Sequence, residues 1–504
     1  MHAEPGARPA SASADFAGAQ PRPGLVISNA TILDGSGAPR FAGDVAIDGD
    51  RVTRIAAPGT LRGGASIDAT GLALAPGFID VHTHDDRMLV DGGGMAPKVS
   101  QGVTTVIAGN CGISLAGLAV GAGRGGPPQP LDLLDGSGDW YRFPTFAAYF
   151  AALERQPAAT NAAFLVGHST LRAAAMDDLA RAASPAECRR MCAAIDEAMQ
   201  AGAIGLSTGT FYPPAAAAPT SELIELSRRL TDAGGLYVTH MRNEAEAILP
   251  AIDETLEIGR ACGIGVVISH HKVAGLANHG RSIETLARIG EAMKRQPVAL
   301  DCYPYEASST VLSAVRLPMS SRVLVAWSTP HPECAGRDLA EIAAGWGVSA
   351  EAAVQRLQPA GAIYFMMDER DVQRILAFPE TMIGSDGLPH DASPHPRLWG
   401  TFPRVLGHYS RDLGLFPLEV AVHKMTGLPA ARFGLRGRGR IEPGAFADLV
   451  LFDPATVIDS ATFEAPVQPA AGIHTVMVNG TPVWRGGRAT GERPGRVLRR
   501  EGRA

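Results

Sequence analysis

Two histidines lie two residues apart in the stretch His82-Thr83-His84, directly after the apolar run GFIDV. Alternate residues of a strand point to the same side, so both imidazole rings can reach one metal ion. Taken alone, such a pair is more often a pair of solvated loop histidines. Metal ligation is favoured here because the pair belongs to a larger set of residues with the same chemistry.

The other members of this set each follow an apolar run of strand length. They are Cys111 in GNCG, His240 in VTHMRNE, His270 in ISHHK and Asp386 in GSDG. A buried thiol, a hydrogen-bonded core histidine or a turn carboxylate would explain any one of them singly. As a set they combine ligands that zinc prefers with a carboxylate that can move a proton beside the metal. The set predicts a zinc centre at which Asp386 can touch both the metal and water and move a proton between them.

Eight apolar runs alternate with Ala-rich helical stretches, the α/β pattern of βαβ units on a parallel sheet. These runs are residues 74–84, 103–109, 162–168, 203–209, 235–240, 265–271, 298–304 and 381–386. Eight such strands close a (β/α)8 TIM-like barrel, and their C-terminal ends meet at one mouth. Because the candidate ligands lie at those ends, the barrel would bring them together. The connection of about 75 residues between the last two runs predicts an insertion near the site.

The two ends of the chain show the alternating pattern of β-strands. Asp48-Gly49-Asp50 and Asn479-Gly480 are typical hairpin turns between such strands. We expect the ends to meet in a small β-sandwich domain beside the barrel. The predicted division is a disordered N-terminal tail (1–24), the first part of the β-domain (25–73), the catalytic barrel (74–436), and the second part of the β-domain with a C-terminal tail (437–504).

Composition excludes several classes of partner. The 45 basic and 51 acidic residues are mixed along the 504-residue chain and give a net charge of −6, without a basic face for nucleic acid. No uninterrupted apolar run reaches the roughly 18 residues that a membrane span needs. Six cysteines are too few for a disulfide framework in a chain of this length. We therefore predict a cytoplasmic protein that binds a small molecule, with neither nucleic acid nor membrane as a partner; the oligomeric state stays open.

The histidine pair of the first strand, the histidines that end the fifth and sixth strands and the final aspartate resemble the metal pattern of the amidohydrolase superfamily. Many members also carry a carboxylated lysine on the fourth strand, but residues 203–212, AIGLSTGTFY, contain none. With Cys111 present instead, the chain is similar to the D-aminoacylase family, which includes deacylases of N-acyl-D-glutamate and N-acyl-D-aspartate. The similarity runs through PGFIDVHTHDD, GNCGIS, GLSTGTFYPP, VTHMRNE, ISHHK, DCYPY and GSDGLPHD.

The resemblance implies one tightly bound zinc ion and a second, weaker or unoccupied site. The ligands of the tight site would be Cys111, His240 and His270. The ligands of the second site would be His82, His84 and Asp386.

The resemblance also implies how a substrate carboxylate is bound, through Lys272, Tyr303 and Ser309, while Tyr212 would line the substrate pocket. Independently, Lys272 is one of only four lysines in an arginine-rich chain, the others being Lys98, Lys294 and Lys424. A lysine kept in such a chain suggests a chemical need for a compact ammonium group. The preferred substrate side chain stays open; an acidic one would need a further cation, for which Arg316 is the candidate.

The implied reaction is hydrolysis of an N-acyl-D-amino acid to a carboxylate and a free D-amino acid. Water activated by zinc would attack the amide, and Asp386 would pass a proton from that water to the leaving amine. One alternative is a cyclic-amide hydrolase of the dihydropyrimidinase or dihydroorotase kind, which usually depends on the missing fourth-strand lysine. Another is a catalytically inactive scaffold on the same fold, but such proteins typically lose metal ligands.

Overall fold

The computed structural model describes residues 24–120 and 126–500, so the predicted N-terminal tail lies outside the described residues except for Gly24. Eight parallel strands form one sheet in which consecutive barrel strands pair in order. They are Phe78–Asp80, Val103–Ala108, Asn161–Gly167, Gly205–Gly209, Leu236–His240, Gly265–Ile268, Val298–Cys302 and Thr381–Ile383. This is the predicted (β/α)8 barrel, and we number its strands one to eight in that order.

Helices lie between the barrel strands and after them. In the described part of the chain the α-helices are Asp86–Val90, Ala96–Val99, Phe146–Arg155, His168–Ala175, Pro185–Ala201, Pro213–Ala216, Thr220–Ser227, Arg229–Ala233, Ile248–Cys262, Ser282–Met293, Leu339–Trp346, Ala350–Leu357, Glu369–Ala377, Arg397–Arg404, Leu418–Met425 and Gly427–Phe433. A π-helical segment, Val405–Asp412, continues from Arg397–Arg404. Short 3₁₀ turns occur at Leu131–Leu133, Leu276–Asn278, Ala314–Met319 and Pro332–Cys334.

The longest helix, Pro185–Ala201, shows how local sequence sets its limits. The Ser184 side chain accepts a hydrogen bond from the Glu187 backbone N–H, and the Glu187 carboxylate accepts one from the Ser184 N–H. This capping box satisfies two N–H groups that the first turn leaves without partners. The helix ends at Gly202, whose φ of 111° favours glycine.

The interior of the barrel is filled by apolar side chains from alternate positions of the strands. They include Ile79, Ile107, Leu165, Val238, Val267, Ala299 and Met382. Apolar side chains on the outer faces pack against the helices in a second, larger cluster. The strand centres are therefore rigid, and the polar residues at the strand ends project from a packed support.

Both ends of the chain join one nine-stranded sheet, as predicted. Its strands, in spatial order, are Arg488–Ala489, Thr481–Arg485, Ile473–Val478, Leu449–Phe452, Ala73–Pro76, Leu25–Ile32, Phe41–Asp48 and Arg51–Ala56, while Ala65–Asp68 pairs with Leu25–Ile32. The chain leaves this sheet and enters the barrel at Gly77. A Cβ atom there would lie 2.1 Å from the Thr104 side chain, so the crossing requires glycine. The first barrel strand consequently begins at Phe78, after a strand that belongs to the terminal sheet.

The connection between strands seven and eight contains the predicted insertion. It forms a three-stranded antiparallel sheet of Ala307–Val311, Ala360–Phe365 and Arg322–Ser328. A second, two-stranded sheet of Leu118–Ala119 and Arg142–Phe143 lies in the connection after strand two. Both insertions follow the C-terminal ends of barrel strands, so they belong to the mouth.

The last described residues pack against the other end of the barrel. Val497 forms a parallel bridge with Ala162, and the Leu498 N–H donates to the Ala162 carbonyl at 2.7 Å. No helix in residues 24–120 and 126–500 is both long and apolar enough to cross a membrane.

Candidate metal centre and active site

Three of the predicted ligands lie in left-handed backbone conformation just beyond strand ends. The φ angles are 54° for Cys111, 36° for His270 and 50° for Asp386. Positive φ is uncommon for residues other than glycine and costs on the order of 1–3 kcal/mol, so it persists only where surrounding contacts impose it. The sharp change of direction at each strand end aims these side chains into the mouth.

The turn that carries Cys111 is fixed from both sides. The buried Asp86 carboxylate accepts hydrogen bonds from the backbone N–H groups of Gly109, at 3.1 Å, and Leu115, at 3.2 Å. Gly109 has a φ of 82°, and a Cβ atom there would lie 2.1 Å from the Leu165 carbonyl oxygen. The GNCG sequence thus makes a turn that passes too close to strand three for any side chain at Gly109.

Four predicted ligands form one compact group. The His82 Nε2 atom lies 3.2 Å from Cys111 Sγ and 3.5 Å from Asp386 Oδ1, and Cys111 Sγ lies 3.4 Å from His270 Nε2. One ligand atom from each of the four residues lies within 4.8 Å of every other. This donor spacing can enclose a single metal ion, and His84 Nε2 lies at its edge, 3.3 Å from Asp386 Oδ1.

His240 lies on the other side of His270. Their ring centroids are 4.6 Å apart, and one donor atom each of His240, Glu244 and His270 lie within 4.8 Å of one another. Both ring nitrogens of His240 are buried without a hydrogen-bond partner. The structure thus gathers all six predicted ligands at the mouth, while their division between a tight and a weak site stays a prediction.

The protonation states of these groups suit a metal. Burial lowers the pKa of His82 to about 3 and that of His240 well below its usual value, so both imidazoles are neutral, the form that ligates metals. Burial also raises the pKa of the Cys111 thiol well above its usual value when no cation is present. A bound cation reverses that effect by stabilising the thiolate. Unpartnered buried nitrogens, a thiol and a carboxylate at this spacing fit zinc.

Asp386 is held ionised by a residue that the sequence did not reveal. Burial alone would raise its pKa, but the positive charge of Arg397 holds it well below its usual range. Arg397 Nη1 lies 2.9 Å from Asp386 Oδ2, and the guanidinium lies 4.5 Å from the centre of the Tyr303 ring. Arg397 begins a helix beyond a loop of irregular conformation, so no strand-end pattern could have indicated it.

Glu244 is a second residue that the sequence reading missed. Lys272 Nζ donates to Glu244 Oε1 at 2.7 Å and to the His270 carbonyl at 2.9 Å, and it lies 2.7 Å from His270 Nδ1. Glu244 Oε1 lies 3.1 Å from the same ring nitrogen. The carboxylate therefore contacts both the predicted carboxylate-binding lysine and a predicted metal ligand. Its position four residues after His240, in VTHMRNE, was the available signal.

One cavity connects the predicted ligands to the predicted substrate residues. Its wall includes His84, Cys111, Tyr212, His240, Glu244, His270, Lys272, Ser309, Arg316 and Asp386. Tyr303 lies behind that wall, with the Lys272 ammonium 5.8 Å from its ring centre. A larger cleft between helices Ile248–Cys262 and Ser282–Met293 contains none of the predicted ligands.

Several hydroxyl groups around this cavity have their hydrogen-bonding capacity unused. Tyr303 Oη and Ser309 Oγ are buried and have no partner. The Tyr212 hydroxyl, by contrast, is 3.0 Å from Thr310 Oγ1. Since buried hydroxyl groups are normally paired, the Ser309 hydroxyl in the cavity wall is available to a bound molecule, and the Tyr303 hydroxyl is unpaired behind that wall.

The amidohydrolase family model matches residues 65–304 and 337–484. The chain belongs to this family. It is 59% identical to the D-aminoacylase of Alcaligenes xylosoxydans xylosoxydans, over 94% of this chain and 97% of that protein. It is also 58% identical to a solved D-aminoacylase described for the role of its binuclear metal centre, with a TM-score of 0.92 and coverage of 94% and 99%.

A third relative carries a ligand of mechanistic interest. The N-acyl-D-glutamate deacylase of Bordetella bronchiseptica is 46% identical, with a TM-score of 0.90 over 95% of this chain and 100% of that one. It was solved with zinc and a phosphonate inhibitor that mimics the tetrahedral intermediate of the reaction. The amidohydrolase resemblance expected from the sequence is confirmed.

Proposed function

We propose that this protein hydrolyses N-acyl-D-amino acids to a carboxylate and a free D-amino acid in a zinc-dependent reaction. One observation carries the proposal: donor atoms of His82, Cys111, His270 and Asp386 lie within 4.8 Å of one another at the barrel mouth. The chain that holds them is 59% identical to a D-aminoacylase over nearly its whole length.

The proposed tight zinc ligands are Cys111, His240 and His270, with a second, weaker position at His82, His84 and Asp386. When bound, zinc supplies Lewis-acid chemistry, polarising the amide carbonyl and making water acidic enough to attack at neutral pH. The neutral imidazoles and the two unpartnered nitrogens of His240 support this assignment.

Asp386 is the proposed proton carrier. As a carboxylate beside Arg397 it can accept the proton of the attacking water, so that a C–O bond forms at the acyl carbon. It then returns the proton to the amide nitrogen while the C–N bond breaks, because an unprotonated amide nitrogen is a poor leaving group. The products are a carboxylic acid, which ionises, and an amine.

The α-carboxylate of the substrate is proposed to bind Lys272, Tyr303 and Ser309. The unpartnered hydroxyl groups of Tyr303 and Ser309 support this role, as does the burial of the Lys272 ammonium. Glu244 contacts the same ammonium and would hold it toward the cavity before substrate arrives. Tyr212, fixed by its hydrogen bond to Thr310, is proposed to form a wall of the pocket.

Arg316 favours substrates that have an acidic side chain. Arg316 lines the cavity and is 8% exposed, with its guanidinium 4.6 Å from the Phe211 ring centre and 5.6 Å from that of Tyr364. Among the described residues it forms no ion pair with a carboxylate, and its hydrogen-bond partner is Met366 Sδ at 3.9 Å. A buried cation between aromatic rings and facing the cavity is suited to a carboxylate on the ligand.

A cyclic-amide hydrolase remains the alternative. Strand four, Gly205–Gly209, offers no lysine for the carboxylated bridge on which such enzymes usually depend.

A reducing compartment such as the cytoplasm is proposed because Cys111 must stay a free thiol, and all six cysteines are free in the structure. A small molecule is the proposed partner, and binding of nucleic acid is not expected.

The deciding experiment offers metal-analysed protein a panel of racemic N-acetyl amino acids and separates the released amino acids on a chiral column. We expect only D-amino acids, with N-acetyl-D-glutamate and N-acetyl-D-aspartate hydrolysed best. Hydantoins and dihydropyrimidines are assayed in parallel. Release of L-amino acids, or ring opening without deacylation, would contradict the proposal.

The side-chain preference is tested separately with Arg316→Met. We expect kcat/KM for N-acetyl-D-glutamate to fall by about 10- to 100-fold, since hydrogen bonds to charged groups contribute about 1.5–3 kcal/mol. The value for N-acetyl-D-leucine should stay within about threefold of wild type. An equal fall for both substrates would assign Arg316 a structural role.

A further inference from the structure

The barrel is weakly closed between its first and last strands. The ladders pair strand one with strand two and so on to strand eight, but no ladder joins strands eight and one in the described residues. The backbone crosses this seam through an isolated bridge between Thr83 and Gly387 and a 2.8 Å hydrogen bond from the Asp386 N–H to the His82 carbonyl. Proposed metal ligands lie on both sides of the seam.

A fully buried lysine joins the two sides. Lys98, which is 0% exposed, donates from Nζ to Asp80 Oδ2 and to Ser385 Oγ, both at 2.8 Å. Asp80 ends strand one, two residues before His82, and Ser385 immediately precedes Asp386. A second carboxylate forms an ion pair with the same nitrogen, from which Asp85 Oδ2 lies 3.4 Å away.

Asp80 extends the connection to the backbone of both strands. Its Oδ1 atom accepts hydrogen bonds from the Ser385 N–H at 2.8 Å and from the His82 N–H at 3.3 Å. A hydrogen-bonded cluster thus lies directly beneath the proposed centre. It consists of Lys98, Asp80 and Ser385, and we call it the clasp. Charge-assisted hydrogen bonds of this kind are roughly twice as strong as neutral ones.

A lysine is chemically suited to this position. Its compact ammonium has three donors that can turn toward three acceptors, whereas the planar guanidinium of arginine requires acceptors in one plane. The chain has only four lysines among its 45 basic residues. Lys98 occupies a fully buried site in which three oxygen atoms lie within 3.4 Å of its nitrogen, an arrangement that suits a compact ammonium.

We infer that Lys98 is a positioning residue, which holds Asp386 at its working distance from His82 and His84 by fastening strand eight to strand one. The inference rests on the proposed function, because it assigns the clasp a role in that reaction. The same contacts also set the spacing of two proposed metal ligands, since His82 and Asp386 lie on opposite sides of the seam. Displacing a reacting group by about 1 Å can cost about 100-fold in rate.

The test compares Lys98→Met with wild type in steady-state kinetics, zinc affinity and Tm. We expect kcat to fall by about 100-fold while KM changes less than about threefold, because substrate-binding residues lie on other strands. Zinc affinity at the weaker position of His82, His84 and Asp386, measured against a chelator of known affinity, should fall by about 10-fold or more, while the tight position of Cys111, His240 and His270 keeps its affinity. An unchanged kcat and unchanged zinc affinity would overturn the inference.

Lys424→Met is the matched control. Lys424 is also buried, and its Nζ donates to the backbone carbonyls of Pro379, at 3.2 Å, and Thr381, at 3.3 Å, at the other end of strand eight. We expect a lower Tm with kcat and zinc affinity within about twofold of wild type. If both lysine variants lose kcat and zinc affinity equally, Lys98 is only a structural residue and the inference fails.

Two further variants cover the case in which Lys98→Met does not fold. The double variant Lys98→Met with Asp80→Asn removes the cation together with one of its two anions, Asp80 but not Asp85, so Tm should recover in part while kcat stays low. Ser385→Ala removes one side-chain contact and should lower kcat by about 5- to 10-fold at nearly unchanged Tm. Wild-type kcat in both would overturn the inference.

The proposed function and this inference fail separately. If wild-type protein releases no amino acid from any N-acyl-D-amino acid, the proposed function is wrong, and zinc affinity alone decides the role of Lys98. If wild type is active and the Lys98→Met variant matches it, only the inference is wrong.

Discussion

The two ends of the barrel each bury a cluster of polar side chains, but only one cluster is internally paired. At the junction with the nine-stranded sheet, Asp448 accepts from the Asn161 side chain at 3.1 Å and from the Asn479 N–H at 2.7 Å, and it pairs with Arg438. Arg438 Nη2 in turn donates to Asn479 Oδ1 at 3.0 Å. This network, the junction cluster, joins the barrel to the terminal sheet.

The mouth cluster leaves several of its polar atoms without a hydrogen-bond partner. His240 lacks partners at both ring nitrogens, and Tyr303 and Ser309 lack them at their hydroxyl groups. Cys111 and Asp386 also have positive φ angles, but so does Asn479 of the junction cluster, so hydrogen-bond pairing is what separates the two clusters. A paired network stabilises the fold by itself, whereas unpaired and strained groups cost stability unless something binds them. The difference teaches that burial of polar groups alone does not mark a functional site, whereas several unpaired polar atoms around one cavity point to a bound molecule.

The largest expected effect is that of Asp386→Asn, which removes the proposed proton carrier from the mouth cluster. The amide keeps the size of the side chain but cannot carry the proton, so we expect kcat to fall by about 1,000-fold or more. Zinc content after gel filtration should stay near wild type, because Cys111, His240 and His270 remain. The control is Asp391→Asn in the same loop, which should keep kcat within about threefold. Normal turnover of the Asp386 variant would remove it from the chemistry.

A substitution in the junction cluster should lower the stability of the protein and leave its turnover unchanged. Arg438→Met leaves the buried Asp448 carboxylate without its cation, which should cost about 3–5 kcal/mol in free energy of unfolding. Urea unfolding measures this loss, and kcat per folded molecule should stay within about twofold of wild type. A large fall in kcat in the folded fraction would show that the two ends are coupled.

Cys111→Ser tests the metal directly. The serine hydroxyl is a poor substitute for a thiolate ligand, so zinc affinity should fall by about 100-fold or more. Loss of a residue that only orients a ligand typically lowers metal affinity by about 10- to 100-fold. Competition with a chelator measures this change. Cys188→Ser, in helix Pro185–Ala201, is the matched control and should retain zinc as wild type does.

The smallest expected effect belongs to Lys272→Met. Loss of one charged hydrogen bond to the substrate carboxylate should raise KM by about 10- to 100-fold. Lys294→Met, at a lysine that is 72% exposed, should leave KM unchanged. An unchanged KM in the Lys272 variant would instead assign that ammonium to Glu244 and His270 alone.

Sequence periodicity and strand-end residues were sufficient to predict the barrel and to bring His82, His240 and the other ligands to one mouth. Arg397 could not be predicted, because it reaches Asp386 from a helix beyond an irregular loop. The grouping of the ligands also depends on left-handed turns at Cys111 and His270, and residue type alone does not specify such turns. The position of Glu244 was accessible, since it lies four residues beyond His240 in VTHMRNE.

The crossing of the chain at Gly77 has a consequence for biosynthesis. The strand Ala73–Pro76 leads into the barrel, yet one of its pairing partners is Leu449–Phe452, near the end of the chain. At roughly 5–20 residues per second, a ribosome needs on the order of half a minute to make the segment between them. The terminal sheet can therefore be completed only after residues 449–452 have left the ribosome.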